Sequence, residues 1–275
     1  MADMAVDRLA CSVALIGCGN LGSRIAQGIC GGAAGEYRLI ALFNGAGHAK
    51  ARRLAQATGA VFCETLDELL ATRPDYVVEA ASGPVLGQVA VACLSAGANL
   101  IVLSTGAFAD THLLEVAMAS ARAHRRKIYI ASGAIGGFDV AQAAMIGGDL
   151  HVSMTTEKPP RAFHGAPGVA AKLSDDVVQE IYRGSAREAI ARFPQNVNVV
   201  AALSLATTGL DDTTITIRSN PRLTNNRHTV TLEGAFGSAR LEVEARPSPD
   251  NPRSSLLAAF SVLSLLRKIA SPIQI

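Results

Sequence analysis

Along the first half of the chain, short runs of continuous apolar residues alternate with segments whose apolar positions recur every three to four residues. The runs at 13–16, 39–43, 60–62, 76–78, 100–103 and 128–130 are too short for helices. They are apolar throughout, as strands buried on both faces are. The segments between them, at 22–30, 48–58, 66–72, 85–96 and 112–124, carry the helical period. Such alternation predicts an α/β fold with a doubly wound parallel sheet, helices covering both faces.

After residue 130 the pattern changes. Residues 131–139 are rich in glycine and lack a period, as a crossing between domains would. Longer and more polar strands are predicted at 151–156, 213–218, 228–232 and 239–245, with helices at 186–191 and 199–207. The last three strands follow one another through turn residues. That order predicts a mainly antiparallel sheet with one face solvated or covered by a partner. An apolar helix at 254–269 is expected to return to the first domain. The predicted layout is a first domain over 1–133 and an α+β domain over 134–251 for substrate and oligomerisation. Residues 252–275 pack back on the first domain, and a cleft lies between the two.

The first strand gives this layout a function. Val13 to Ile16 run directly into Gly17-Cys18-Gly19-Asn20-Leu21-Gly22, and a helix follows. Gly17 permits a tight turn, Gly19 lets backbone approach a pyrophosphate, and Gly22 lets helix and strand pack closely. Asn20 and Leu21 complete the turn, and the N-terminal N–H groups of the helix that follows face the phosphates. The first domain therefore reads as Rossmann-type and dinucleotide-binding. At the end of the second strand, where an acidic residue would hold the ribose of NAD, stands Asn44. Asn44 bonds a hydroxyl without repelling a 2′-phosphate. His48, Lys50, Arg52 and Arg53 follow, either to pair with that phosphate or as a solvated helix turn. NAD and NADP both remain open. Ala80 and Ser82, after the fourth strand, and Ser104, after the fifth, lie where the nicotinamide half would sit. The two serines are equally explained as turn or cap residues.

Composition narrows the class. The 275 residues are 49% hydrophobic and 17% charged, enough for a large core, and the net charge is only +2. That balance gives no reason to expect a nucleic-acid partner. The basic cluster from Arg122 to Lys127 reads as the solvated end of a helix. The five cysteines are odd in number and lack C-x-x-C spacing, so they read as buried apolar residues in a reducing compartment. No secretory signal is visible and the apolar run 256–266 is too short to span a bilayer. A cytoplasmic protein without a membrane or metal partner is expected.

Histidine is the natural proton carrier near neutrality. Of the six, His228 alone sits in a polar cluster, Asn225-Asn226-Arg227-His228, at the entry to a strand. It is expected to face the cleft and to titrate, or else to be a structural histidine. The clusters 193–199 and 247–255 add further polar groups, where Asn196 or Asn198, and Asn251 or Ser254, are candidate helix caps.

Taken together, the chain resembles the L-aspartate dehydrogenase family from about Val13 to its C-terminus. The resemblance is carried by Ala131 to Gly137, Phe193 to Ala202, Asn226-Arg227-His228 and Pro249 to Ser255. It implies that His228 is the active-site histidine and that Ala134 and Asn198 contact the nicotinamide cofactor. It implies oxidation of L-aspartate to iminosuccinate, then hydrolysis to oxaloacetate and ammonia, or the reverse reductive amination. The substrate's carboxylates need cations or N–H donors; Lys158, Arg253, Ser254 and Ser255 are candidates. A homo-oligomer, most simply a dimer, is expected. Two other readings stay open: a two-domain NAD(P)-dependent reductase for another amino or imino acid, and a non-catalytic NAD(P)-binding sensor. An acylating semialdehyde dehydrogenase is disfavoured, because no cysteine lies in the second domain to serve as nucleophile.

Overall fold

The computed structural model describes residues 10–45, 47–166, 169, 173–193, 197–248 and 251–273. Its first half is β1 (Cys11–Ile16), α1 (Asn20–Cys30), β2 (Tyr37–Phe43), α2 (His48–Thr58), β3 (Val61–Cys63), α3 (Leu66–Ala71), β4 (Tyr76–Glu79), α4 (Gly83–Ser95), β5 (Asn99–Val102), α5 (Thr111–Ala123) and β6 (Ile128–Ile130). The strands form one parallel sheet in the order β3-β2-β1-β4-β5-β6. β1 lies at its centre because its last four residues are apolar and can be buried on both faces. Val13 and Leu15 enter one core with Ile25 and Ile29 of α1. Ala14 and Ile16 enter the other with Leu86 of α4, Ala117 of α5 and Phe108 from the turn between β5 and α5. Strand order reverses between β1 and β4, the point where ligands bind in such sheets.

The second half is α6 (Phe138–Ile146), β7 (His151–Lys158), β8 (Gln179–Ser185), α7 (Ala186–Arg192), α8 (Val197–Ala206), β9 (Thr214–Ser219), β10 (Asn226–Gly234), β11 (Gly237–Ala245), a short pair β12 (Pro247–Ser248) and β13 (Asn251–Ser255), and α9 (Leu256–Ala270). Five strands make a mixed sheet in the order β11-β10-β7-β9-β8. Only β7 and β9 run parallel; the other pairings are antiparallel. Val152 and Met154 of β7, Ile215 and Ile217 of β9, and Val230 and Leu232 of β10 form its inner face, packed with Ala189 of α7 and Leu203 of α8.

α9 returns to the first domain as expected. Val262, Leu263 and Leu266 join the core on the α1 side. A Cβ at Gly28 of α1 would lie 2.3 Å from Leu263 Cδ1, so the two helices meet where α1 has no side chain.

Two elements escape the hydrophobic pattern. β8 is an edge strand on which only Tyr182 is buried, so its sequence is polar. α6 begins inside the glycine-rich crossing, where Gly137 turns at φ +77°. It exposes Val140, Met145 and Ile146 as well as burying Ala141 and Ala144, so its apolar residues do not fall on one face and show no period. One expectation is corrected: Cys18, Cys63 and Cys93 are buried, but Cys11 and Cys30 are exposed. Cys11 opens a strand at the sheet's end and Cys30 is the last residue of α1, so neither reaches the core.

Candidate active site

The glycine turn has three distinct reasons for its three glycines. Gly17 sits at φ +98°, and a Cβ there would lie 2.6 Å from the Ala80 carbonyl oxygen. A Cβ at Gly22 would lie 1.8 Å from the Gly17 oxygen, so helix backbone rests on turn backbone. At Gly19 a Cβ would meet no heavy atom within 4 Å. Packing therefore does not require a glycine at position 19; an approaching ligand would. α1 starts after Gly19 at Asn20 and Leu21, without a capping side chain and without an acidic residue in its first turn. These features fit the pyrophosphate of a dinucleotide.

Asn44 follows β2 directly. Its Oδ1 accepts the Cys18 N–H at 3.0 Å, which ties the turn to the strand end. Its amide nitrogen makes no hydrogen bond among the described residues. Of the basic residues behind it, Arg52 is paired with Glu64 and stacked 4.7 Å from the Phe62 ring centre, which fits the solvated-helix reading.

The loops after β4 and β5 are organised by a residue the sequence reading passed over. Glu79 ends β4 and is fully buried. Its Oε1 accepts the Ala81 N–H and the Ser104 hydroxyl, both at 2.8 Å, and its Oε2 accepts the Ser104 N–H at 3.0 Å. Burial pushes the Glu79 carboxyl up, while these hydrogen bonds act against the shift. The signal was present: an acid closing an otherwise apolar strand, Tyr76-Val77-Val78-Glu79. Ser104 is thereby turned inward, so its loop offers backbone rather than a hydroxyl. Ala80 is held by its N–H to the Ile16 oxygen at 2.8 Å. Ser82 is exposed and occupies the N-cap position of α4, yet its hydroxyl makes no capping bond.

The second domain meets these loops through α8. Asn198 Oδ1 accepts the Gly106 N–H, just beyond β5, at 3.1 Å. Gly133 donates to Ser261 Oγ of α9 at 3.1 Å, and a Cβ on it would lie 3.2 Å from Val199. Ala134, buried in this turn, and Asn198 are thus each next in sequence to one of two touching residues. Asn196 and Asp250 lie outside the described residues. Ser255 caps α9: its Oγ accepts the Leu257 N–H at 3.1 Å; the side chains of Asn251 and Ser254 lie outside the described residues.

His228 stands on the inner face of the second sheet, directly across from Thr156 of β7. Its Nδ1 lies 3.0 Å from Thr156 Oγ1. His228 is only 6% exposed, whereas the other five histidines are exposed. Burial and then the nearby Lys158 charge hold its pKa down at about 3. Lys158, two residues beyond Thr156 on the same face, is also buried, and desolvation lowers it to about 8. Burial thus keeps the ring neutral and displaces its titration well below the ordinary histidine range. One expectation is corrected here. The polar cluster read around it is split by the strand's alternation. Arg227 turns to the outer face, where it pairs with Glu157, Glu242 and Glu244, and Asn225 bonds Glu244. Thr156 and Lys158, distant in sequence, are what His228 has beside it.

Comparison with known proteins follows this division. Residues 17–131 match the family described as homoserine dehydrogenase, NAD binding domain, and residues 139–269 match aspartate dehydrogenase, C-terminal. L-aspartate dehydrogenase of Methanosarcina mazei is 37% identical over 96% of this chain and 98% of its own. That of Methanococcoides burtonii is 43% identical over 73% of this chain and 76% of its own. The crystal structure of aspartate dehydrogenase from Thermotoga maritima is similar with a TM-score of 0.76 and 25% identity, covering 96% of this chain and 99% of that one. A scyllo-inositol dehydrogenase from Lactobacillus casei shares the fold at TM-score 0.61 and 13% identity.

Proposed function

The chain belongs to the L-aspartate dehydrogenase family, and from that premise we propose how its residues serve an NAD(P)-dependent aspartate dehydrogenase. The net reaction takes L-aspartate and water to oxaloacetate and ammonium, by way of iminosuccinate. A bound nicotinamide dinucleotide supplies the two-electron chemistry. Gly17, Gly19, Asn20, Leu21 and Gly22 hold its pyrophosphate, and Asn44 faces its ribose. The loops at Ala80, Ser82 and Ser104, with Ala134 and Asn198, border its nicotinamide end.

His228 is the proton carrier in this proposal. The observation that supports it is a buried imidazole kept neutral and fixed through Nδ1 by Thr156. Nε2 is then the atom left to accept a proton from water as its oxygen attacks the imine carbon. In the reverse direction the same atom returns that proton as water leaves. Burial excludes bulk solvent from the transfer, and a dianionic substrate nearby would raise the ring's basicity from its depressed value.

Neither direction is assigned as physiological. The same reading keeps a homodimer, formed across the outer face of the second sheet, and a cytoplasmic setting as parts of the proposal. No helix among the described residues is long and apolar enough to cross a membrane. The test is absorbance of reduced nicotinamide with L-aspartate and each oxidised cofactor, then with oxaloacetate, ammonium and each reduced one. Cofactor binding without turnover in any combination would leave a binding protein and end this reading.

A further inference from the structure

We infer that the open edge of β6 takes an acidic, extended segment of another protein as an added strand. No step of the reaction proposed above uses this surface.

β6 is the last strand of the parallel sheet and pairs with β5 alone among the described residues. Leu100 donates its N–H to the Lys127 oxygen, and Ala131 donates its N–H to the Val102 oxygen. Residues 127, 129 and 131 therefore turn their peptide groups toward β5. Peptide groups alternate along a strand, so Ile128 and Ile130 turn their N–H and C=O outward. Neither has a hydrogen-bond partner on that side among the described residues. Natural sheet edges are blunted by charge, proline or a covering element. The run Ile128-Tyr129-Ile130 has neither charge nor proline. Helices flank it without covering it: all three residues stay partly exposed and line a groove of about 880 Å³.

The groove straddles the sheet edge. Tyr129 and Leu265 of α9 pack with the core on the α1 side, and Ile128 and Leu205 of α8 pack with the core on the other. Phe260 of α9 stands half exposed on the wall. α9 runs back along β6: Gly133, beyond the strand's last residue, bonds Ser261. Lys268, about two turns further on and also lining the groove, lies toward the strand's first residue. Arg125, Arg126 and Lys127, all exposed, precede β6 at that same end. No Asp or Glu occurs at 116–138 or 251–275 to offset them. This end of the groove therefore attracts an anionic group. An acyl chain lying here would bury the outward groups of Ile128 and Ile130 unbonded. A peptide main chain supplies their complement, and its side chains meet apolar walls on both faces of the sheet. The occupant is thus a strand that is apolar in its middle and acidic at one end.

The test uses the full chain and an array of short fluorescent peptides with blocked ends. Each carries Asp-Glu, then three residues drawn from Val, Ile, Thr and Tyr, then Ser-Gly; the reversed sequences complete the array. Fluorescence anisotropy should show binding by members of the array. Methylating the main-chain nitrogens of the central residues should weaken it at least about tenfold, because the strand's donors are lost. Ile130→Pro removes one outward donor, which an edge strand tolerates, and should weaken binding about tenfold. Phe260→Asp changes an exposed wall position outside the sheet and should do the same by repelling the acidic peptide. Lys127→Glu, or Lys-Lys in place of Asp-Glu in the peptide, should cost about threefold to tenfold, less at high salt. No binding by any member up to about 1 mM would overturn the proposal. So would equal binding of the methylated peptides, or unchanged affinity in both Ile130→Pro and Phe260→Asp. Binding of dodecanoate that Phe260→Asp abolishes, with no peptide bound, would give the groove to an apolar small molecule instead. Loss of self-association in Ile130→Pro and Phe260→Asp by sedimentation, where wild type associates, would give it to a second copy of this chain. Either result overturns the proposal.

Discussion

The Ser104 hydroxyl and backbone N–H both donate to the Glu79 carboxylate, at 2.8 and 3.0 Å, across the gap between β4 and β5. With the Ala81 N–H on the same carboxylate, one buried acid sets the shape of two loops. Glu79→Gln keeps the volume but puts an NH2 against one of these donors. It should destabilise the fold by about 1–3 kcal/mol, the cost of a buried donor left without its acceptor. Cofactor affinity should fall with it, because the loops lose their fixed spacing. Thermal melting and a nucleotide fluorescence titration on the same preparation check both halves.

The glycines separate a fold requirement from a ligand requirement. Gly19→Val places a branched side chain in open space, so melting should be nearly unchanged while NAD(P)H affinity drops sharply. Gly22→Ala drives a Cβ to 1.8 Å from the Gly17 oxygen, so the helix must move and melting should fall. Equal cofactor affinity in wild type and Gly19→Val would remove the pyrophosphate from this turn.

Asn44→Asp keeps an oxygen for the Cys18 N–H, so the turn should survive. The added negative charge would repel a 2′-phosphate a few ångströms away. The ratio of kcat/KM for NAD over NADP should rise, by about tenfold for each 1.4 kcal/mol of repulsion. A ratio that does not move would mean Asn44 is not at the ribose.

Much of this was legible in the sequence because the first domain buries its strands on both faces. Such strands read as continuous apolar runs, and β1 to β6 were found within a few residues of their ends. The glycine turn was legible for the same reason: backbone contact leaves no room for side chains at Gly17 and Gly22. β8 and α6 were missed because an edge strand need not be apolar and a helix with apolar residues on its exposed as well as its buried side shows no period. The site around His228 was read from the wrong neighbours. Sequence adjacency suggested Asn225 and Arg227, but strand alternation sends Arg227 to the opposite face. Thr156 and Lys158 come beside His228 only through strand register, and a single sequence does not display register between β7 and β10. Glu79 was visible, but a lone acid at a strand end does not announce that it holds two loops.

The last prediction concerns His228 and pH. Its folded pKa is depressed to about 3, below the ordinary 6.5, so the unfolded chain binds the extra proton first. Stability should therefore be full above about pH 6.5 and be lost progressively as pH falls toward 3. Lys158 shifts the same way for the same reason: folded at about 8 against 10.5 unfolded, it makes stability rise with pH across that interval. His228→Asn removes the acid-side loss, so its melting temperature should vary less with pH below 6.5 than wild type's does. Catalysis responds differently. On the proposed role, neutral His228 would accept a proton only during the reaction, so the variant should turn over at least about a hundredfold more slowly at pH 7 with cofactor affinity intact. A purely structural histidine predicts the reverse pattern, with altered stability and near-normal turnover in the folded fraction. Measuring kcat and melting of wild type, His228→Asn and His228→Ala from pH 5 to 9 separates the two roles. Turnover in folded His228→Asn within about threefold of wild type would take the proton carrier away from this site.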